Sequence, residues 1–191
     1  MWSSSAARAW RSGGDVLSPD REGFEEFVIA RRPALLRTAY LLTGSNEDAE
    51  DLVQTAFIKC VPKWAKIADR PEPYVRQVLA RESISRWRTR RWRESVAEHL
   101  PEDPGHETSN DDTTNERIVL REALRCLAPR QRAVIVLRYY EDLTEKQTAD
   151  HLGIAVGTVK SQARDALARL RESVPGLGDA EVSLDAAIGT G

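Results

Sequence analysis

The chain has 191 residues, of which 41% are hydrophobic and 30% charged, and its formal net charge is −2. This length suits one or two small domains. No apolar run approaches the roughly 20 residues of a membrane span and no signal peptide is recognisable, so we expect a cytoplasmic protein. The two cysteines, Cys60 and Cys126, lie on apolar helical stretches without metal-binding spacing, which predicts two core thiols and neither a metal nor another cofactor.

The balance of charge changes along the chain. Residues 18–93 hold 15 basic and 11 acidic residues, residues 94–116 hold 8 acidic and no basic residues, and residues 117–172 hold 11 basic and 7 acidic residues. Two basic modules joined by an acidic connector suit a protein that lays both modules on a polyanion. Arg makes up 23 of the 28 basic residues, which favours bidentate contacts to phosphate and guanine or merely reflects a GC-rich genome.

Apolar residues recur with a helical period almost throughout, which predicts an all-α fold. Residues 1–17 are rich in Ser, Ala and Gly and are typical of a disordered leader. A first helix is predicted from Ser18 to Thr43, with Gly44 at its end and a kink or break at Pro33.

A second helix is predicted to begin after Ser45 and to close near Trp64. Residues 65–73 are predicted to form a loop, because Pro71 and Pro73 bracket its end. The first turns of the second helix combine acidic side chains with apolar ones. Such a face suits docking of a basic partner, and it is also typical of an ordinary exposed helix start whose acids complement the helix dipole.

A third helix is predicted from Tyr74 to Arg93 and ends in the segment RWRTRRWR, with five Arg and two Trp in eight positions. Arg supplies charge for phosphates and Trp a flat face on which an unpaired base stacks, which favours single-stranded or opening DNA. The alternative is a solvated basic helix end with one Trp packed on its own domain. Trp87 and Trp92 point about 140° apart on a helix, so we expect one to be core and the other to face a ligand.

Residues 94–116 have almost no apolar content and contain two prolines, which predicts a flexible acidic linker. A second helical module is predicted over residues 117–172, beginning with a helix around Ile118 to Leu127. Residues 173–191 form a tail rich in small side chains.

The stretch TEKQTADHLGIAVGTVKSQAR carries a helix-turn-helix pattern. Thr144 and Gln147 have the spacing of a capping box, and Gly153 can adopt the left-handed conformation that ends the first helix. Ala149 is small where the helices approach each other, and Val159 returns to the core. The start of the second helix exposes donors suited to phosphates or base edges, and the alternative is an ordinary helical hairpin with a solvated polar face.

Together the two modules resemble the extracytoplasmic-function sigma factors, the two-domain class of bacterial transcription initiation factors. The first conserved regions of the family resemble the stretch FEEFVIARRPALLRTAYLLTGSNEDAEDLVQTAFIKCVPKW. The C-terminal domain of the family resembles the stretch LAPRQRAVIVLRYYEDLTEKQTADHLGIAVGTVKSQARDALARLR. The sequences of an actinobacterial branch of the family are similar to this chain at RTAYLLTG and at VLRYYEDL followed by GTVKSQ. The resemblance covers Phe24 to Arg171.

The resemblance implies two small helical domains joined by a flexible acidic linker, the second ending in the helix-turn-helix. It implies a non-enzymatic factor that binds core RNA polymerase, recognises the −35 and −10 promoter elements and promotes DNA melting. Residues 18–93 are expected to dock on polymerase and to recognise and melt the −10 element, and residues 117–172 to bind the −35 element. The expected partners are promoter DNA and the β′ clamp helices and β flap of polymerase, with an anti-sigma protein as a candidate regulator.

The resemblance also implies three sets of site residues. The residues expected to dock on the β′ clamp are Asp48, Asp51, Leu52, Gln54 and Phe57. The residues expected to bind or melt the −10 element are Asp69, Arg70, Tyr74, Arg76, Arg81, Arg86, Trp87, Arg88, Arg90 and Arg91. The residues expected to bind the −35 element are Thr144, Thr158, Lys160, Ser161, Gln162 and Arg164.

Two positions depart from the family pattern. Arg81 stands where Asn is frequent in the −10 helix, and Ala155 stands where a Ser cap often precedes the recognition helix. Replacing such a cap by Ala costs about 1 kcal/mol of local stability.

A stand-alone helix-turn-helix regulator that does not melt DNA is the alternative function, and the RWRTRRWR segment argues against it because a protein that binds closed duplex has no use for it. A helical enzyme has less support, because His99, His106 and His151 are dispersed and no nucleophile–base arrangement is recognisable.

Overall fold

The computed structural model describes residues 19–96 and 122–173, and the side chains of residues 23–90 and 122–173. The described residues form helices and connecting turns without a strand, which confirms the all-α prediction. The predicted leader, most of the predicted linker and the predicted tail beyond Ser173 lie outside the described residues. Within the described part, no helix combines the length and the apolar character that crossing a membrane requires.

The N-terminal module, residues 19–96, consists of α1 (Pro19–Thr43), α2 (Asn46–Cys60), a 3-10 turn (Val61–Lys63), α3 (Trp64–Ile67) and α4 (Pro71–Val96). The C-terminal module, residues 122–173, consists of a helical segment at 122–125, α5 (Pro129–Ile135), a π-helical turn (Val136–Tyr140), α6 (Glu145–Leu152) and α7 (Val156–Ser173).

The turn between α1 and α2 forms as predicted. Gly44 has a φ of +77°, and the Ser45 side chain accepts a hydrogen bond of 3.4 Å from the backbone N–H of Asp48. α1 is not split at Pro33. The carbonyl that loses its partner to Pro33 belongs to Ile29, and both residues are exposed, so water can satisfy it.

The predicted loop over residues 65–73 is wrong for most of its length. α3 extends to Ile67 and α4 begins at Pro71, which leaves only residues 68–70 as a turn. Both prolines fall in the first turn of α4, where the backbone N–H groups have no intrahelical acceptor, so a missing N–H costs nothing there. α4 also continues to Val96, three residues beyond the predicted end.

The core of the N-terminal module lies between α1, α2 and α4, with Leu52, Val53 and Leu79 fully buried. Aromatic rings close one end of this core. The ring of Phe24 meets Trp64 at 4.9 Å between centroids and Phe57 at 6.3 Å, both edge to face. These contacts fix the start of α1 against α2 and α3.

The helix-turn-helix prediction is confirmed in detail. The N–H of Thr144 donates to the side-chain oxygen of Gln147 at 2.8 Å, and the N–H of Gln147 donates to the Thr144 hydroxyl at 3.2 Å. Gly153 ends α6 with a φ of +68°, and Ala149 and Val159 are buried. The capping box and the left-handed glycine therefore set the angle at which α7 leaves α6.

The two thiols differ, contrary to the expectation that both lie in the core. Cys60 is fully buried, whereas Cys126 is exposed because the neighbouring Leu124 and Leu127 take the inward positions of its turn. Burial raises the pKa of the Cys60 thiol to about 11. Since the thiolate is the reactive form, Cys60 is protected twice, by burial and by protonation.

We therefore expect a thiol reagent at neutral pH to modify Cys126 quickly and Cys60 only after unfolding. Ellman's reagent should titrate one thiol per folded chain and two in denaturant. The Cys126→Ser variant should show no rapid reaction. Fast modification of both thiols in the folded wild type would contradict the burial of Cys60.

Candidate functional site

α7 presents a line of exposed residues on the side opposite its core contacts. Val159, Ala166 and Leu170 are buried. Gly157, Lys160 and Arg164, spaced by three and four residues, are exposed, and the Arg164 side chain reaches 80% exposure. We call these three residues the α7 line. A helix with one buried face and an exposed cationic line can lie against a polyanion without disturbing its own fold.

The other predicted −35 residues lie around this line. Thr158, Ser161 and Gln162 are half-buried, and the Ser161 hydroxyl donates to the carbonyl of Thr158 at 3.1 Å. Thr144 belongs to the capping box of α6, so its first role is to hold the helix start.

The cations of the α7 line have exposed acidic neighbours. Lys160 lies 3.5 Å from the carboxylate of Glu145 and Arg164 lies 3.2 Å from that of Asp165. Exposed ion pairs of this kind contribute roughly 0–1 kcal/mol, so both cations can exchange their partners for phosphates or base edges at small cost.

The basic residues of α4 point in three directions. Arg86 and Arg90 turn toward α2: Arg86 donates to the carbonyl of Asp51 at 3.0 Å, and Arg90 lies 3.1 Å from the Asp48 carboxylate. Arg76 and Arg81 contact the C-terminal module. Arg88 is exposed, and Trp87 is 41% exposed.

The remaining predicted −10 residues are placed as follows. Asp69 and Arg70 are exposed on the short turn before α4, and Tyr74 is half-buried against the core. The side chains of Arg91 and Trp92 lie outside the described ones. Trp87 is not a core residue, so its position suits a ligand contact.

The predicted docking residues do not share one face of α2. Leu52 is 0% exposed and supports the helix from within, so it cannot touch a partner directly. Asp48 and Asp51 lie beside α4, whereas Gln54 and Phe57 line a groove between α1 and α2.

This groove contains apolar residues that the sequence prediction missed. It is lined by Phe24, Val28, Arg32, Glu50, Val53, Gln54, Phe57, Ile58 and Val61. Ile58 is 64% and Val61 57% exposed, and Ile29 on α1 is also exposed. The sequence contains a signal for Ile58, because this large apolar residue follows Phe57 and lies outside the α2 positions that face the core. Exposed large apolar residues grouped around a groove mark an interaction surface.

Two family models match the two modules in chain order. The model described as Sigma-70 region 2 matches residues 27–93, and the model described as Sigma-70, region 4 matches residues 123–172. These matches define the class of protein as an RNA polymerase sigma factor of the sigma-70 type.

Full-length relatives narrow the class. The RNA polymerase sigma-E factor of Streptomyces avermitilis is 42% identical, and the match covers 84% of this chain and 87% of that protein. The ECF RNA polymerase sigma factor SigL of Mycobacterium tuberculosis is 33% identical, and the match covers 75% of this chain and 84% of that protein. The sigma factor RpoE of Bartonella quintana, solved in complex with the anti-sigma factor NepR, has a TM-score of 0.63 and 25% identity, covering 81% of this chain and 98% of that one. The chain belongs to the extracytoplasmic-function family of sigma factors, which confirms the resemblance.

Proposed function

We propose that this sigma factor divides promoter recognition between the α7 line and the exposed end of α4, and that it docks on core polymerase through the groove between α1 and α2. The observation that carries the proposal is the α7 line itself, an exposed cationic face held at a fixed angle by the capping box of α6 and the turn at Gly153. In a helix-turn-helix this second helix enters the major groove. The α7 line is therefore assigned to the −35 element.

The −10 element is assigned to the end of α4. Trp87 and Arg88 are both exposed at consecutive positions of the helix, which places an aromatic ring and a cation at the same level of α4. A base that has left the duplex stacks on such a ring, and the guanidinium neutralises the adjacent phosphate. The turn at residues 68–70, with Asp69 and Arg70, supplies further polar contacts close to the start of the same helix.

Docking on the β′ clamp is assigned to the groove rather than to all five predicted residues. Gln54 and Phe57 contribute directly, with Ile58 and Val61 as additional apolar contacts and Glu50 as an acidic one. Asp48 lies on the neighbouring face, where its carboxylate pairs with Arg90, and Asp51 is exposed beside it. The β flap is assigned to the apolar part of the C-terminal module.

The polymerase performs the nucleotidyl transfer, and the sigma factor supplies specificity without catalysis. Because its partners are core polymerase and the chromosome, its place of action is the cytoplasm. An anti-sigma protein is a candidate regulator, since the similar RpoE was solved with one.

A transcription assay with purified core polymerase and a promoter library tests this function. The protein should direct initiation from promoters that share one −35 and one −10 sequence at a fixed spacing. Tight binding to a palindromic duplex without polymerase, together with no initiation, would support the stand-alone regulator instead.

We expect Arg164 to contact a guanine of the −35 element. Arg164→Ala should weaken binding to the preferred −35 duplex by about 1 to 3 kcal/mol, because a bidentate Arg–guanine contact has that value. Arg164→Lys keeps the charge but not the planar fork, so it should lose discrimination at one base pair while retaining affinity for other sequences. Fluorescence anisotropy with a set of −35 duplexes measures both. An equal loss on every duplex would reassign Arg164 to the phosphate backbone.

A further inference from the structure

The first two residues of α7, Val156 and Gly157, have side-chain positions that the packing of the protein does not explain. Val156 is 38% exposed and is not part of any apolar cluster in the described part of the chain. Gly157 is exposed as well and begins the α7 line. The sequence prediction of the −35 residues included neither of them.

The protein itself does not require a glycine at position 157. The φ of Gly157 lies outside the left-handed region in which glycine is favoured. Apart from its chain neighbours and the backbone of its own turn, a Cβ atom added to Gly157 would meet no described atom within 4 Å. Alanine would therefore fit without strain, and it would favour the helix because glycine loses more backbone entropy on folding. The missing side chain leaves the backbone of α7 open to close approach by a ligand.

Val156 places an apolar side chain beside the cations of α7. It lies four residues before Lys160, about 40° away around the helix, so the two side chains are neighbours on one side of α7. Lys160 and Arg164 can donate hydrogen bonds to phosphates and base edges, whereas valine can donate none. The only methyl group among the base edges of the major groove is the C5 methyl of thymine. This methyl group is therefore the part of a base pair that suits Val156.

We propose that Val156 contacts the C5 methyl group of one thymine in the −35 element, and that Gly157 permits this contact by letting the backbone of α7 lie close to the base edges. The proposal rests on the −35 function proposed above for α7. In a helix-turn-helix, the first residues of the second helix contact the bases. A valine side chain is short, so it reaches a base edge only from a nearby backbone. Val156 is a specificity-determining residue, and Gly157 is a positioning residue.

The surroundings of Val156 favour DNA over a protein as its partner. The first turn of α7 contains no acidic residue, and the exposed cations Lys160 and Arg164 follow on the same side of the helix. A stable protein interface buries several hundred Å² on each partner, with an apolar centre, which one valine among cations does not supply. A single methyl contact is enough to discriminate between base pairs.

Replacing thymine by deoxyuridine tests the contact directly, because it removes the C5 methyl group and keeps every hydrogen-bonding group of the base. The probe is the preferred −35 duplex from the promoter library, with the thymines of both strands replaced one at a time. Fluorescence anisotropy measures the affinity of the full-length protein. Wild type should bind one of these duplexes about fourfold more weakly, which corresponds to the loss of one buried methyl group, and the others nearly as well as the parent duplex.

The Val156→Ala variant completes a double-mutant cycle with this base. It should bind the parent duplex at least about fourfold more weakly than wild type, and replacing the sensitive thymine should cause no further loss. Losses that simply add would show that the valine and the methyl group are not in contact. Far-UV circular dichroism and thermal melting establish that the variant is folded, as we expect for a residue outside the apolar clusters.

The Gly157→Ala variant separates close approach from folding. It should raise the melting temperature by about 1 to 4 °C, because alanine favours the helix. It should also weaken −35 binding on the order of tenfold, the value of one base contact, and abolish the difference between the thymine and deoxyuridine duplexes. Gly23→Ala is the matched control, since Gly23 lies in α1 and an added Cβ there also meets nothing within 4 Å. This control should change −35 binding in no way.

Equal binding of all the deoxyuridine duplexes by wild type would overturn the methyl contact, as would a preferred −35 element without thymine on either strand. Unchanged −35 affinity in Gly157→Ala would overturn the positioning role. If wild type preferred no −35 sequence and Arg164→Ala had no effect, the function proposed for α7 would itself fail. A loss in Arg164→Ala without any methyl effect would contradict only the role of Val156.

Discussion

Ile58→Asp is expected to abolish stable binding to core RNA polymerase. The Ile58 side chain is 64% exposed at the edge of the α1–α2 groove, so the substitution leaves the core of the module untouched. In the complex, however, it places a carboxylate where an apolar contact is expected. Burying an unpaired charge costs several kcal/mol, enough to weaken binding by more than a hundredfold.

Ala30→Asp is the matched control for this experiment. Ala30 is exposed on α1, two positions after Val28, and therefore points about 160° away from the groove. Both variants add one carboxylate to an exposed helical position, so they change the net charge equally, and Ala30→Asp loses more helix propensity than Ile58→Asp, which makes it a strict control. A pull-down with core polymerase, supported by anisotropy of the labelled protein, should separate them. Full binding by Ile58→Asp would remove the groove from the docking surface.

Milder docking variants carry complementary information. Phe57→Ala is expected to weaken polymerase binding as well, but Phe57 also packs against Phe24 and Phe27, so part of its effect comes from a loosened core. Asp51→Arg would place a second cation beside Arg86, which donates to the Asp51 carbonyl. The exposed Ile58 avoids both complications.

The features that sequence reasoning predicted well are those determined by a few neighbouring residues. The capping box of Thr144 and Gln147 and the left-handed Gly153 are local, and each signal has one structural meaning. The two prolines at 71 and 73 illustrate the opposite case. Proline at the start of a helix and proline in a loop have the same local signal, so the sequence does not distinguish the predicted loop from the helix start that the structure has.

The direction of each basic side chain on α4 was beyond prediction. The composition of RWRTRRWR indicates a cationic helix, but it does not show that Arg86 and Arg90 turn toward α2 while Trp87 and Arg88 remain exposed. These choices depend on acceptors that α2 supplies about 35 residues away in sequence. The helical period predicts on which side of the helix a side chain lies, but the neighbouring helices determine what that side contacts.

The junction between the modules was not predicted for the same reason. Thr38 and Glu141 are 103 positions apart, and Arg132 reaches a carbonyl 90 positions away. The acidic segment between the modules favoured independent domains joined by a linker. No local pattern marks Arg81 and Arg132 as caps for helices of the opposite module. An arginine that caps another helix and an arginine that faces solvent have the same sequence signature.

Trp87→Ala combined with Arg88→Ala is expected to block promoter opening while leaving polymerase binding intact. Both side chains are exposed near the end of α4, and neither lines the groove between α1 and α2. Loss of the ring removes a stacking surface with a value of about 1 to 3 kcal/mol per base, and loss of the guanidinium removes one phosphate contact. Together these losses should reduce the fraction of open promoter by at least tenfold and should flatten the salt dependence of complex formation.

Permanganate reactivity of unpaired thymines in the −10 element measures this opening directly. Wild type with polymerase should make these thymines reactive, and the double variant should leave them close to the level of duplex DNA. Thr89→Ala is the control on the same turn, since the Thr89 hydroxyl donates back to the carbonyl of Ser85 and has no assigned DNA contact. The companion change Arg88→Ala with Arg91→Ala removes charge without the ring, so comparing the two double variants separates stacking from phosphate neutralisation. Wild-type reactivity in both double variants would mean that the end of α4 is only a solvated basic helix end, and melting would have to be assigned to the turn at residues 68–70.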